Sequence, residues 1–129
     1  MFDNNVFKKD TCKNIVENGT TIGYGLQTLI TYYRGIPLSM VEFVKVAVDG
    51  VEEEPTAIQI SIDEEDWFTL KEAATVSSYK WEYGEPLHIR VMKEGGLAKG
   101  NHDVALTIAT RTAYIPVPLV GMKERTVTI

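Results

Sequence analysis

Val104-Ala105-Leu106-Thr107-Ile108-Ala109-Thr110-Arg111-Thr112-Ala113-Tyr114 alternates without interruption. Successive side chains of an extended chain point to opposite faces, so a period of two marks a strand. One face carries Val104, Leu106, Ile108, Thr110, Thr112 and Tyr114; the other carries Ala105, Thr107, Ala109, Arg111 and Ala113. The same period runs through residues 22–33, 43–48, 58–62 and 87–92, and a last short strand is predicted at residues 125–129.

The breaks between these runs carry turn chemistry. Asp49-Gly50 is a two-residue hairpin signal, because both residues tolerate a positive φ. Glu17-Asn18-Gly19 precedes the first long strand, and Tyr83-Gly84-Glu85-Pro86 precedes Leu87. The glycine-rich stretch from Glu94 to His102 reads as a hairpin loop. Thr69-Leu70-Lys71-Glu72 matches a capping box, and Ala73-Ala74 extends it until Thr75 and Val76 stop the helix. The expectation is an all-β chain: one jelly-roll-like antiparallel β-sandwich domain spanning residues 1–129, with about seven or eight strands and at most one short helix.

Two strand exits resemble each other. Tyr32-Tyr33-Arg34-Gly35-Ile36-Pro37-Leu38-Ser39 and Thr112-Ala113-Tyr114-Ile115-Pro116-Val117-Pro118-Leu119-Val120-Gly121 both run from aromatic residues into Pro-broken backbone. Proline has no N–H to give a ladder, so both segments are expected at sheet edges or strand ends. Tyrosine and arginine on such an edge suit docking. The small residues around Arg111 leave room for a helix, a loop or a partner on that face. An ordinary strand exit, and an ordinary solvated sheet face, account for the same residues.

Composition narrows the class. The 129 residues carry 13 basic and 18 acidic side chains for a net charge of -5. The basic residues are dispersed, so nucleic acid is repelled rather than attracted. No run approaches the roughly 20 apolar residues of a membrane span, and Met1-Phe2-Asp3-Asn4-Asn5 opens no signal-peptide pattern. A lone Cys12 excludes an internal disulfide and fits a reducing cytoplasm. The acidic runs Glu52–Glu54 and Asp63–Asp66 read as solvated turns.

Candidates for chemistry are few. His88 and His102 are far apart, and neither sits in a metal-ligand spacing. Lys8, Lys9 and Lys13 would lower the Cys12 pKa if they lay close in space. Glu82 and Glu85 flank Trp81 and Tyr83, a sugar-contact pattern that a core tryptophan with solvated neighbours also produces.

Taken in order, Tyr32–Ser39, Val48–Gly50, Trp81–Glu85, Lys93–Val104 and Tyr114–Gly121 resemble the small β subunit of bacterial C-glycoside deglycosidases. The resemblance covers nearly the whole chain. It implies a β-sandwich paired with a larger α subunit of (β/α)8, or TIM-barrel, type that holds a divalent metal, commonly manganese. It implies a cytoplasmic lyase acting on 3-oxo-C-glycosides such as oxidised flavonoid C-glucosides, at or near the shared interface. On that reading this chain has no catalytic or metal-binding residue and no cofactor of its own. Its interface candidates are Tyr32, Tyr33, Arg34, Pro37, Arg111, Tyr114, Pro116 and Pro118.

Two rival readings remain. A free-standing carbohydrate-binding module would use Trp67, Trp81 and Tyr83 as an exposed platform. A stand-alone enzyme would need Glu82, Glu85 or His102 as acid or base, and no convincing constellation supports it.

Overall fold

The computed structural model describes residues 6–29, 35–76, 78–82, 84–112 and 115–129, and only the backbone at 112 and 115–119. Two antiparallel sheets pack face to face. The first has five strands in the order β1 (Lys13–Glu17), β2 (Thr20–Thr28), β9 (Leu87–Met92), β6 (Ile58–Ser61) and β7 (Phe68–Thr69). The second has four: β11 (Ile115–Thr128), β10 (Asn101–Thr112), β4 (Val41–Val48) and β5 (Val51–Glu52). A two-stranded ribbon joins β3 (Ile36–Pro37) to β8 (Lys80–Trp81).

The alternation in the sequence becomes the division between core and surface. Tyr24 and Leu26 of β2, Ile58 and Ile60 of β6, and Leu87, Ile89 and Val91 of β9 are buried. They form one cluster with Val44 and Val46 of β4 and Val104, Leu106 and Ile108 of β10. At roughly 1.5–3 kcal/mol for each fully buried large apolar side chain, this shared interior is what holds the sheets together. Trp81 is fully buried and its indole Nε1 donates to the Glu85 carbonyl at 2.9 Å.

Several turns form as their residues require. Asp49 and Gly50 both take positive φ, 51° and 83°, and close the β4–β5 hairpin at the Val48–Val51 pair. Helix α1 (Leu70–Ala73) is one turn long and carries both bonds of the Thr69–Glu72 capping box. Asn14 clamps Leu97: its Oδ1 accepts from the Leu97 N–H at 2.8 Å and its Nδ2 donates to the Leu97 carbonyl at 3.0 Å. This ties β1 to the glycine-rich loop.

Two expectations need correction. Eleven strands are present among the described residues rather than about seven or eight. Four of them (β3, β5, β7 and β8) are two residues long, too short to display a period. The last strand is not a short one at 125–129: β11 begins at Ile115 and includes the Pro116-Val117-Pro118 stretch. It is the outermost strand of its sheet, where proline costs no central ladder bond.

Candidate functional site

Register brings part of the predicted docking set together. Thr112 pairs with Ile115 and Thr110 pairs with Leu119, so residues 116–118 bulge opposite the single residue Arg111. On the other side of β10, Thr110 pairs with Val41, and a 3-10 turn (Leu38–Met40) that leads into β4 also lies against β10. Pro37 caps that turn. Pro37, Arg111, Pro116 and Pro118 therefore gather at one end of the four-stranded sheet. Tyr32, Tyr33, Arg34 and Tyr114 lie outside the described residues, as does Tyr83.

The outer face of this sheet carries small side chains along β10, Ala105, Thr107 and Ala109, the last already fully buried. Ala109 is flanked by Phe43 on β4 and Val120 on β11; Thr107 is flanked by Lys45 and Met122; Ala105 is flanked by Ala47 and Glu124. Val120 and Met122 are 59% and 52% exposed. The Lys45 ammonium lies 5.0 Å from the centre of the Phe43 ring. At the proline end Arg111 pairs with Glu42, its Nε 2.5 Å from Glu42 Oε2. Exposed Val120 and Met122 among small residues, with Lys45, Glu124 and the Arg111–Glu42 pair around them, resemble an interface core with a polar rim. Its β11 contribution was missed in the sequence, because Val120 and Met122 interrupt a Pro- and Gly-rich stretch that shows no clean period.

The other outer face, on the five-stranded sheet, holds a groove of about 330 Å³. One cross-strand row runs Lys13, Gly25, Arg90, Gln59, and the next pairs Gln27, His88 and Ser61. Arg90 Nε donates to Gln59 Oε1 at 2.8 Å, and its guanidinium lies 4.1 Å from the centre of the Trp67 ring. Trp67 Nε1 donates to the Glu64 carbonyl at 3.2 Å, and His88 Nδ1 is 3.3 Å from Glu64 Oε1. Partial burial lowers the Arg90 pKa below its ordinary range.

The remaining candidates are structural. His102 Nδ1 is 2.9 Å from Asp49 Oδ2 and its Nε2 is 2.7 Å from the Ala98 carbonyl, which joins the β4–β5 turn to the loop before β10. Its pKa is raised, first by the Asp49 bond and then by the carbonyl. The expected lowering at Cys12 is reversed: burial pushes its thiol up to about 11. The Trp81 platform is also corrected, since that ring is in the core. Among the described residues, no three His, Cys, Asp or Glu side chains converge where a metal ion would sit. Among the described residues no helix is long and apolar enough to cross a membrane.

Fold and faces together define an antiparallel β-sandwich that presents an apolar face and a polar groove on opposite sides. The family model for the C-glycoside deglycosidase beta subunit matches residues 2–114. The chain is 30% identical over 99 residues to the C-glycoside deglycosidase beta subunit of Eubacterium cellulosolvens, covering 77% of this chain and 67% of that one. It is likewise 30% identical over 97 residues to a 3'-dehydrocarminate deglycosidase beta subunit from a Microbacterium species, covering 74% of this chain and 70% of the relative. The chain belongs to the C-glycoside deglycosidase beta-subunit family. Strand β11 lies beyond the span that the family model matches.

Proposed function

We propose that this chain is the accessory subunit of a two-component C-glycoside deglycosidase, docked on a larger catalytic subunit through the outer face of its four-stranded sheet. The observation that carries the docking surface is the pair Val120 and Met122, more than half exposed beside the small residues Ala109 and Thr107. Family membership supports the activity: the relatives are named as beta subunits of deglycosidases. The larger subunit is a TIM-barrel protein in this reading and holds the divalent metal, manganese. The complex is cytoplasmic, and it acts on 3-oxo-C-glycosides such as those of flavonoids.

The substrate's chemistry explains why such an enzyme is a lyase. A carbon–carbon glycosidic bond has no bridging oxygen to protonate. A 3-ketone acidifies the C2 hydrogen; a base removes that proton, and the C1–aryl bond breaks as the aryl carbon gains a proton. A metal supplies charge stabilisation for the enolate when bound. The role of this chain is to hold partner loops in place over the reacting sugar.

The test is co-expression with the larger subunit, followed by size-exclusion chromatography with light scattering and an assay of aglycone release from a 3-oxo-C-glucoside with added manganese. A stable complex that is active where neither subunit is active alone is expected. Val120→Asp with Met122→Asp places two charges in the exposed apolar patch and is expected to weaken assembly by about 30-fold or more. A double variant that folds, assembles and turns over as the parent does would remove this face from the interface. A lone monomer that ignores the barrel protein would remove the subunit reading itself.

A further inference from the structure

We propose that the groove on the opposite sheet face is a binding site for a single neutral sugar ring, independent of the docking face and of the proposed partner. In the row Lys13, Gly25, Arg90, Gln59, the glycine leaves a gap between two long cationic side chains. Ile15 leans over that gap: a Cβ on Gly25 would stand 3.2 Å from Ile15 Cδ1 and 3.3 Å from the Ile89 carbonyl oxygen. The Ile15 side chain therefore occupies the space over the Gly25 backbone and gives the groove an apolar floor between the two cations.

The side chains lining the groove match a polyol. A sugar ring presents hydroxyls that both donate and accept, around a C–H surface that is apolar. Ile15 and Trp67 give the groove apolar surface. Arg90 and Lys13 donate, Glu17 and Glu64 accept, and Gln27 does both. Two cations against two carboxylates leave no net field for an anion, which sets this site apart from an arginine-lined carboxylate pocket.

Arg90 is also held before any ligand arrives. Its Nε donates to Gln59 and its guanidinium packs against the Trp67 ring. No carboxylate pairs with it among the described residues. A guanidinium immobilised in this way loses little freedom when it hydrogen-bonds a ligand, which favours binding. The volume, about 330 Å³, is near the lower end of ligand pockets, which run roughly 300–1,000 Å³, and suits one ring rather than a chain.

The experiment uses the two tryptophans as reporters. The full chain is labelled with fluorotryptophan and used as it purifies, alone or assembled with an unlabelled larger subunit. Fluorine resonances are followed during titration with D-glucose, D-mannose and D-galactose, and separately with acetate. Trp67 lines the groove and Trp81 is buried in the core, so the second signal also reports whether each variant is folded.

A saturable millimolar shift of the Trp67 signal with at least one hexose, and a still Trp81 signal, is expected. Gln27→Leu and Arg90→Met should each weaken that binding, the latter by about tenfold or more. No saturable Trp67 response to any of the three sugars overturns the proposal. So does a response to acetate in place of sugar, or sugar binding unchanged in both folded variants.

Discussion

Replacing Tyr24 by Phe should loosen the joint between the two sheets. Tyr24 belongs to β2 of the five-stranded sheet and is fully buried. Its hydroxyl donates to Glu53 Oε2 at 2.7 Å, and Glu53 directly follows β5 of the four-stranded sheet. The Glu53 side chain is only 13% exposed, with Lys93 Nζ 3.7 Å from its other oxygen. Burial, then the Glu53 bond, pushes the Tyr24 pKa far up, so the phenol is a donor at every working pH. Phenylalanine keeps the ring packing and removes only that donor. A hydrogen bond to a charged group contributes about 1.5–3 kcal/mol, and here its loss leaves a nearly buried carboxylate with one distant lysine. We expect a loss of about 2 kcal/mol. With a urea slope of roughly 2 kcal/mol/M, the unfolding midpoint should fall by about 1 M at unchanged slope. A cycle with Glu53→Gln isolates the pair, and the two substitutions should be non-additive by about 1 kcal/mol or more. A midpoint shift below about 0.3 M, or strict additivity, would refute the idea that this bond joins the sheets.

Three other outcomes follow from the structure. The bonds of His102 raise its pKa above the ordinary 6.5, so its contribution to stability is complete below that value and is lost as pH rises through the folded-state pKa. Asp49 is lowered, first by the Asp103 N–H and then by His102, so its contribution is present above its ordinary range and is lost as pH falls through the folded value. His102→Gln should therefore flatten the alkaline limb of a plot of urea midpoint against pH, and an unchanged limb would contradict this. Trp81→Phe opens a void and leaves the Glu85 carbonyl without its indole donor; thermal melts should show a loss of about 2 kcal/mol or more. Cys12, with its pKa near 11, should react slowly with a thiol reagent at about pH 8 and rapidly once urea unfolds the chain. Equal rates in both states would show that the thiol is not shielded.

How much of this was legible in the sequence depended on period and on local chemistry. The runs at 43–48, 87–92 and 104–112 display their buried faces directly, because each strand has one face in the core and one outside. Asp49-Gly50 and Thr69–Glu72 announce their turn and cap through side-chain chemistry that acts over a few residues. The two-residue strands were hidden because no alternation can show in so short a span. Strand β11 was hidden by its prolines, which are tolerated only because it is outermost. The groove was invisible for a different reason: Gly25, Arg90 and Gln59 lie 65 and 31 positions apart along the chain and meet only through strand register. Trp67 and His88 were noticed singly, but nothing in their spacing says that they share a wall.

The bulge at residues 116–118 has a bearing on how this chain survives before it meets another. A fourteen-residue outermost strand is a template on which further strands, including those of sister copies, can grow. Pro116-Val117-Pro118 has a single amide hydrogen among its three residues, and the bulge throws that stretch out of line with its neighbour. The opposite end of the sheet is stunted, since β5 is two residues long. Newly made chains are thus poor seeds for fibrous stacking, and a molecule that engages this rim must recognise its side chains rather than extend its backbone ladder.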